Sequence, residues 1–197
     1  MPVTYHIITR GNNRATVFHD EKDYRSYMDI LTDVRASHPF SIYHFALMPN
    51  HVHLILSPEN DDLAPVMQRI NQRYGKYYRE RYDFVGHLWQ GKYRCYEITT
   101  DEYLLTCGIY VELNPVRAGM VREPAEYRWS SHRFYVSTSE WDFLEPSENF
   151  LCMGKDFEER KEMYTELVKM WQEFPPTKQE ARRYFRGGAE GFHPGMG

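Results

Sequence analysis

The sequence contains little cysteine, no long apolar run and no excess of basic residues. Its three cysteines, Cys95, Cys107 and Cys152, are widely spaced, which argues against a disulfide framework or a cysteine metal site. No stretch approaches the roughly 18–20 apolar residues of a membrane-spanning helix. The first residues lack the basic and apolar regions of a secretory signal. We therefore expect a cytoplasmic protein that does not associate with membranes.

A formal net charge of −4 is unusual for a nucleic-acid-binding protein, but the charge is unevenly distributed. Residues 69–94 carry seven basic and two acidic side chains, a balance of +5, interleaved with aromatic residues. Cations for phosphates and flat rings for bases are typical of surfaces that bind single-stranded nucleic acids. A solvated helix whose aromatic side packs in the core would give the same pattern.

The predicted secondary structure indicates an α+β fold. Strands are predicted over 3–10, 40–48 and 92–98, with a further histidine-bearing strand that follows a turn at Pro49–Asn50 and ends at Leu56. Helices are predicted after a cap at Asp20, over about 62–82 from Asp61 or Asp62, and from Thr99 to Pro115. The order β-α-β-β-α-β is that of a ferredoxin-like, split-βαβ antiparallel sheet with two helices on one face. The third helix then has the other face of the sheet available.

The chain is predicted to contain one main domain and a C-terminal extension. We assign residues 1–135 to the domain, 136–186 to a helical extension with an amphipathic helix over 156–174, and 187–197 to a disordered tail.

Two histidines lie one residue apart on one face of the third predicted strand. His51 and His53 alternate with Val52, Leu54 and Leu56, so the imidazoles and the aliphatic side chains point to opposite faces. Two imidazoles are good ligands for a divalent ion and leave coordination positions open for a substrate. An isolated His-x-His pair more often has no metal-binding role, so other residues of the sequence must indicate whether this pair binds a metal.

The segment YVELN places Tyr110 and Asn114 four residues apart, on one face of the third predicted helix. The Asn114 amide oxygen is a candidate third ligand, and the Tyr110 phenol is a candidate nucleophile beside the metal. A half-buried aromatic residue and a helix cap before Pro115 are the structural alternatives. A metal that polarises a phosphodiester would let the phenol, whose ordinary pKa is about 10, attack phosphorus. The product would be a 5′-phosphotyrosine and a free 3′-hydroxyl, a link that another hydroxyl can reverse.

Five separated motifs then give a family resemblance over about residues 3–135: HIITRGNNR, ALMPNHVHLIL, LWQGKY, YVELNPVRAGMV and YRWSSH. In this order they resemble the HUH single-strand nucleases, and most closely the REP-associated tyrosine transposases. The resemblance implies a ferredoxin-like fold, His51 and His53 as metal ligands, Tyr110 as the nucleophile and a monomeric protein. It also implies binding to DNA hairpins formed by repetitive extragenic palindromes. One departure is Asn114, where insertion-sequence relatives often have glutamine.

Candidate DNA contacts come from the loop after the first strand, the basic helix, the segment before the fourth strand, and the residues after the tyrosine. Their side chains suit phosphates or base edges, although a surface turn would explain the loop equally well. The set is Arg10, Asn12, Asn13, Arg14, Arg69, Arg73, Lys76, Gln90, Lys92, Arg94 and Arg117.

The sequence thus predicts a metal-dependent single-strand DNA endonuclease and strand transferase that uses Mg²⁺ or Mn²⁺ and acts on palindromic hairpin DNA. The alternative is a domesticated protein that binds such hairpins without cleaving them. A phosphodiesterase that uses water is a further possibility, and it would not need Tyr110. A histidine-triad nucleotide hydrolase is set aside, because position 55 holds isoleucine where that family has its third histidine.

Overall fold

A computed structural model describes residues 3–60, 62–137 and 141–175. The predicted tail, 187–197, and the end of the predicted extension, 176–186, lie outside the described residues. The strands are β1 (Thr4–Arg10), β2 (Phe40–Met48), β3 (His51–Pro58) and β4 (Arg94–Ile98). The helices are α1 (Glu21–Ser37), α2 (Leu63–Tyr82), α3 (Asp101–Glu112), α4 (Asn114–Arg117), α5 (His132–Val136), α6 (Glu148–Leu151) and α7 (Phe157–Glu173), with short 3₁₀ helices at Asn12–Arg14 and Pro124–Glu126.

The described strands form a four-stranded antiparallel sheet in the order β2-β3-β1-β4. This order and the alternation of strands with helices confirm the predicted α+β fold. Strand β3 lies inside the sheet, between β1 and β2, so side chains on it have a rigid base. The turn at Pro49–Asn50 joins β2 directly to β3, and His51 is the first residue of the latter.

One face of the sheet is covered by α1 and α2. Val52, Leu54 and Leu56 of β3 pack there in a core that includes apolar residues of both helices. Both helices begin at an aspartate cap, because the side chains of Asp20 and Asp62 accept hydrogen bonds from backbone N–H groups of the first turn. No helix in the described part of the chain is long and apolar enough to cross a membrane.

The other face is covered by α3. Val111, Cys107 and Leu104 of this helix form a buried cluster with Ala46 of β2 and Ile55 of β3. Helix α3 therefore packs on the face that bears His51 and His53, as the third helix was expected to do. Helix α4 follows after a break at Leu113, where Pro115 occupies the first turn of the new helix.

The C-terminal part packs behind α3. Ile109 and Leu113 share an apolar cluster with Tyr135 of α5 and with Tyr164 and Trp171 of α7. The predicted amphipathic helix is confirmed as α7, and it supports the tyrosine-bearing helix. The predicted boundary at residue 135 stays a prediction.

Candidate active site

The two histidines sit side by side on β3, with defined neighbours on each adjoining strand. His53 pairs with Ile8 of β1 and Ala46 of β2, and His51 pairs with Arg10 of β1. The two rings are 5.0 Å apart between centroids and nearly perpendicular, at 76°. His53 is buried and His51 half-buried. The predicted pairing of both imidazoles on one face is thus present.

Both histidines are held in the neutral form. Burial lowers the pKa of His51 to about 4, and the nearby charge of Arg10 contributes in the same direction. Burial also lowers the pKa of His53 well below its usual range, with further contributions from His6, His51, Arg117 and Arg10. At neutral pH each ring therefore keeps one nitrogen lone pair, which is the form that ligates metals.

Each candidate ligand has a hydrogen-bond partner on its Nδ1 atom. His51 Nδ1 lies 2.6 Å from Oδ1 of Asn50, and His53 Nδ1 lies 2.9 Å from Nε2 of His6, a buried residue of β1. In metal sites, a hydrogen bond to the ring nitrogen that does not bind the metal orients the histidine. The remaining ring nitrogen of each ligand, Nε2, takes no part in these contacts.

Helix α3 approaches the sheet closely at a glycine. A Cβ atom at position 108 would lie only 2.3 Å from Nε2 of His44, on β2. The His44 ring has little freedom to move away, because it stacks on Tyr135 at 4.6 Å and its Nδ1 hydrogen-bonds Glu112. The missing side chain of Gly108 therefore sets the distance between the sheet and the helix that carries Tyr110.

Tyr110 is contacted by both Asn114 and Arg117, which lie on α4, the short helix that follows the tyrosine-bearing one. The Arg117 guanidinium lies 3.8 Å from the centre of the Tyr110 ring, and its Nη2 donates to the Tyr110 carbonyl. Asn114 Nδ2 donates to the carbonyls of Tyr110 and Val111, both at 3.1 Å. Because the amide nitrogen makes these bonds, the amide oxygen is the atom left for a further partner.

Glu112, two residues after Tyr110, forms the centre of a buried polar network. Its carboxylate accepts hydrogen bonds from Ser131 Oγ at 2.6 Å, Tyr164 Oη at 2.8 Å, and Nδ1 of His44 and His132 at 2.8 and 2.9 Å. Burial alone would raise the pKa of Glu112, but the hydrogen bonds from the two histidines outweigh it and lower the pKa to about 2. The carboxylate thus joins α3 to β2, α5 and α7.

Four of the predicted DNA contacts line one cavity of about 300 Å³ next to the part of β1 that pairs with the histidine strand. Arg10, Gln90, Lys92 and Arg94 surround it, together with Ile8, the residue that pairs with His53. The backbone N–H of Gln90 donates to the carbonyl of Arg10 at 2.8 Å, which ties this segment to the end of β1. The cations are exposed and lie on the same side of the sheet as the histidines.

The predicted contact loop Asn12–Arg14 also lies next to the histidine strand. Asn50 Nδ2 donates to the carbonyl of Arg14 at 3.2 Å, and the N–H of Gly11 donates to the carbonyl of Asn50 at 2.9 Å. Asn13 and Arg14 both have left-handed backbone conformations, with φ of 50° and 60°. Such conformations are uncommon outside glycine and persist where the surroundings hold them.

The three predicted contacts on α2 lie elsewhere. Arg69, Arg73 and Lys76 are exposed on a helix that covers the opposite face of the sheet. Arg73 pairs with Asp33 at 2.5 Å, and Lys76 lies 3.7 Å from Glu80. The structure does not bring this group together with the histidines, and its contact with DNA stays a prediction.

The donor set suits a divalent metal. In the described ranges no group of three or more His, Cys, Asp or Glu side chains could hold a metal ion, and the amide oxygen of Asn114 as a third ligand beside His51 and His53 stays a prediction. Two neutral imidazoles and a carbonyl oxygen suit Mn²⁺, and Mg²⁺ with additional waters.

Three residues near the site had no functional role in the sequence analysis. His6 and Asn50 contact the two histidines, and Glu112 joins the tyrosine-bearing helix to β2. Alternation places His6 on one face of β1, but only the strand pairing shows that this face adjoins His53. Asn50 lies inside the motif MPNHVHLIL, and its turn position was the one available signal.

Comparison with known proteins gives one family and one shared fold. The family described as "Transposase IS200 like" matches residues 2–114. The solved REP-associated tyrosine transposase bound to a REP hairpin aligns over 68% of this chain and 79% of that chain, with 18% identity and a TM-score of 0.59, which shows a common fold. A structure described as a transposase from Deinococcus radiodurans R1 aligns over 57% and 90% of the two chains, with 20% identity and a TM-score of 0.43. No curated protein matches the sequence.

Proposed function

Because the chain belongs to the family of IS200-like transposases, we propose that it is a metal-dependent single-strand DNA endonuclease and strand transferase with Tyr110 as its nucleophile. The family identifies a transposase. The proposal adds the nucleophile, the metal and the form of the DNA.

One observation carries the proposal: Arg117 is close to both halves of the candidate site. Its guanidinium stacks on Tyr110. The pKa of His53 is lowered mainly by burial and by the neighbouring imidazoles, and the charge of Arg117 is a smaller cause in the same direction. The cation that contacts the tyrosine thus also acts electrostatically on His53, which supports a common site built from different elements. A phosphodiester bound there would meet a phenol, a guanidinium and the imidazole pair together.

In the proposed reaction, Tyr110 Oη attacks the phosphorus of a phosphodiester, and the bond from phosphorus to the 3′ oxygen breaks. The phenol proton passes to solvent, and the departing 3′ oxygen takes a proton to become a hydroxyl. The 5′ phosphate remains on the protein as a phosphotyrosine diester. Attack by the 3′-hydroxyl of another strand would form a new phosphodiester and release Tyr110, so cleavage and joining are one reversible reaction.

We assign the metal to Nε2 of His51 and His53 and to the amide oxygen of Asn114. A bound Mg²⁺ or Mn²⁺ would neutralise the charge that develops on the phosphate during attack. The protein contributes neutral imidazoles, whose protons do not compete with a cation, and a rigid strand that holds both of them.

For the substrate we propose a palindromic DNA hairpin with an adjoining single strand. A protein that shares the fold, the REP-associated tyrosine transposase, has been solved bound to a REP hairpin. In this chain, Arg10, Lys92 and Arg94 are exposed beside the histidine pair and are suited to phosphates. We propose that the protein acts as a monomer in the cytoplasm.

The test is covalent trapping. The purified protein is incubated with Mn²⁺ and end-labelled oligonucleotides that carry palindromic hairpins from its own genome, and the products are separated on a denaturing gel. We expect a protein-linked 5′ end with the wild type and with Tyr103→Phe, a matched change on the same helix. We expect none with Tyr110→Phe or His51→Ala.

The other results each support a different function. Cleavage that survives in Tyr110→Phe would indicate a phosphodiesterase that uses water. Tight hairpin binding with no adduct, under Mg²⁺ and Mn²⁺ alike, would indicate a domesticated binding protein.

A further inference from the structure

The two histidines proposed as metal ligands are each contacted at Nδ1 by a residue to which no function has been assigned. Asn50 contacts His51, and His6 contacts His53. A neutral imidazole carries one proton, on either Nδ1 or Nε2, and it ligates a metal only through the other nitrogen. The partner on Nδ1 therefore decides whether Nε2 is available.

The contact with Asn50 determines the state of His51. Asn50 Nδ2 donates to the carbonyl of Arg14, which fixes the orientation of the amide and places its oxygen 2.6 Å from His51 Nδ1. A carbonyl oxygen can only accept a hydrogen bond, so His51 Nδ1 is the donor. The Nε2 atom of a neutral His51 is then unprotonated.

The contact between His6 and His53 allows two arrangements. The ring centroids are 5.2 Å apart with an angle of 18° between the ring planes, and both residues are buried. If His6 Nε2 donated, His53 would carry its proton on Nε2 and could not ligate. If His53 Nδ1 donates, both Nε2 atoms of the histidine pair are unprotonated, on rings only 5.0 Å apart.

We infer that His53 Nδ1 donates to His6 Nε2, so that His6 and Asn50 are positioning residues that present both Nε2 atoms to a divalent cation. The inference rests on the proposed metal site. It assigns His6 the tautomer with its proton on Nδ1 and gives the buried histidine of β1 a function beyond packing.

Nitrogen NMR of the metal-free protein tests the protonation pattern directly. Two-bond proton–nitrogen spectra of protein labelled with ¹⁵N-histidine distinguish the two neutral forms of each of the nine histidines. Signals are assigned by their loss in His6→Gln, His51→Ala and His53→Ala. We expect unprotonated Nε2 in His51, His53 and His6. A proton on Nε2 of His53 in the wild type would overturn the inference.

Mn²⁺ affinity, measured by electron paramagnetic resonance of the free ion, tests the consequence without using activity. Removing a second partner of a metal ligand typically weakens metal binding about 10–100-fold. We expect a loss in that range for His6→Phe and Asn50→Leu. Retention of most of the affinity is expected for His6→Gln and Asn50→Asp, which keep an acceptor oxygen. Ser57→Ala is the matched control, since Ser57 is a buried residue of β3 whose hydroxyl donates to the Val3 carbonyl.

The outcomes separate the inference from the proposed function. Affinities of His6→Phe and Asn50→Leu within twofold of Ser57→Ala would overturn the positioning role. A wild type that binds no Mn²⁺ would instead contradict the proposed metal site, and the NMR spectra would still report the tautomers. If His6→Phe does not fold, Asn50→Leu at its half-buried turn and the wild-type spectra decide the result.

Discussion

The guanidinium of Arg117 stacks on the ring of Tyr110, with 3.8 Å between its Cζ atom and the ring centre. The same side chain donates to the Tyr110 carbonyl, so it contacts both the backbone and the side chain of the proposed nucleophile. A cation over the ring restrains the phenol and places a positive charge where a phosphate would bind.

Loss of this stack is expected to slow cleavage. A cation–π contact contributes roughly 0.5–2 kcal/mol, so Arg117→Gln should lower the single-turnover rate of adduct formation by roughly 2- to 30-fold. Arg128→Gln is the control, because Arg128 stacks in a similar way on Trp129, at 5.1 Å, away from the histidines. Equal rates for the two variants would show that Arg117 has no special role.

A methyl group at position 108 should displace the tyrosine-bearing helix. The added Cβ of Gly108→Ala would lie 2.3 Å from His44 Nε2, and this ring is held by Tyr135 and Glu112. We expect a loss of cleavage well beyond any loss of hairpin binding, together with a lower free energy of unfolding, measured by urea denaturation.

Gly75→Ala provides the matched control for Gly108→Ala. Gly75 is also a helical glycine, but its nearest new contact would be the flexible end of Arg79, at 3.5 Å. Alanine is favoured over glycine inside a helix by about 0.5–1 kcal/mol, so Gly75→Ala should be neutral or stabilising. Equal cleavage and equal unfolding free energies for the two variants would show that the close approach of α3 to β2 affects neither activity nor stability.

The network around Glu112 should make α7 important for stability. Tyr164→Phe removes one of four hydrogen bonds to a buried carboxylate and should cost about 1.5–3 kcal/mol in the free energy of unfolding. Tyr135→Phe removes a bond from a neighbouring buried ring to the neutral carbonyl of Tyr43 and should cost about 0.5–1.5 kcal/mol. The order of the two costs is the testable point, and a smaller cost for Tyr164→Phe would contradict the network.

Acid should remove the contribution of Glu112. Its pKa is lowered from 4.5 to about 2 in the folded protein, so the unfolded chain takes up the proton first as the pH falls. The stabilisation is present above pH 4.5 and is lost progressively as the pH falls through 2. Denaturation curves should therefore show that the stability difference between wild type and Glu112→Gln shrinks below pH 4.5. A difference independent of pH would show that the pKa of Glu112 is the same in the folded and unfolded states.

Much of the fold could be predicted because the local patterns agree with the tertiary structure. Alternation in β3 separates the two histidines from Val52, Leu54 and Leu56. The aliphatic residues face α1 and α2, and the histidines lie on the face that α3 covers. The aspartate caps and the interruption of the third helix near Pro115 were equally local signals.

The contacts that complete the candidate site could not be predicted, since they depend on register and burial. His6 and His53 are 47 residues apart, and alternation fixes the face of a side chain but not its neighbour on the next strand. Glu112 is a charged residue, and charged side chains are rarely buried unless they are paired. Its burial requires donors from β2, α5 and α7, the most distant of them 68 residues away.

The two groups of predicted DNA contacts should differ in what they control. Arg94 lies on the sheet face of the histidines, so Arg94→Ala should weaken binding of the single strand, reduce the slope of log affinity against log salt by about 0.7, and slow cleavage. Arg73 lies on α2, across the sheet, and pairs with Asp33. Arg73→Ala should therefore leave the single-turnover rate at saturating DNA unchanged, while any loss of hairpin affinity would place the double-stranded stem on α2. A slowed rate at saturation for Arg73→Ala would mean that the DNA path to Tyr110 crosses the opposite face of the sheet.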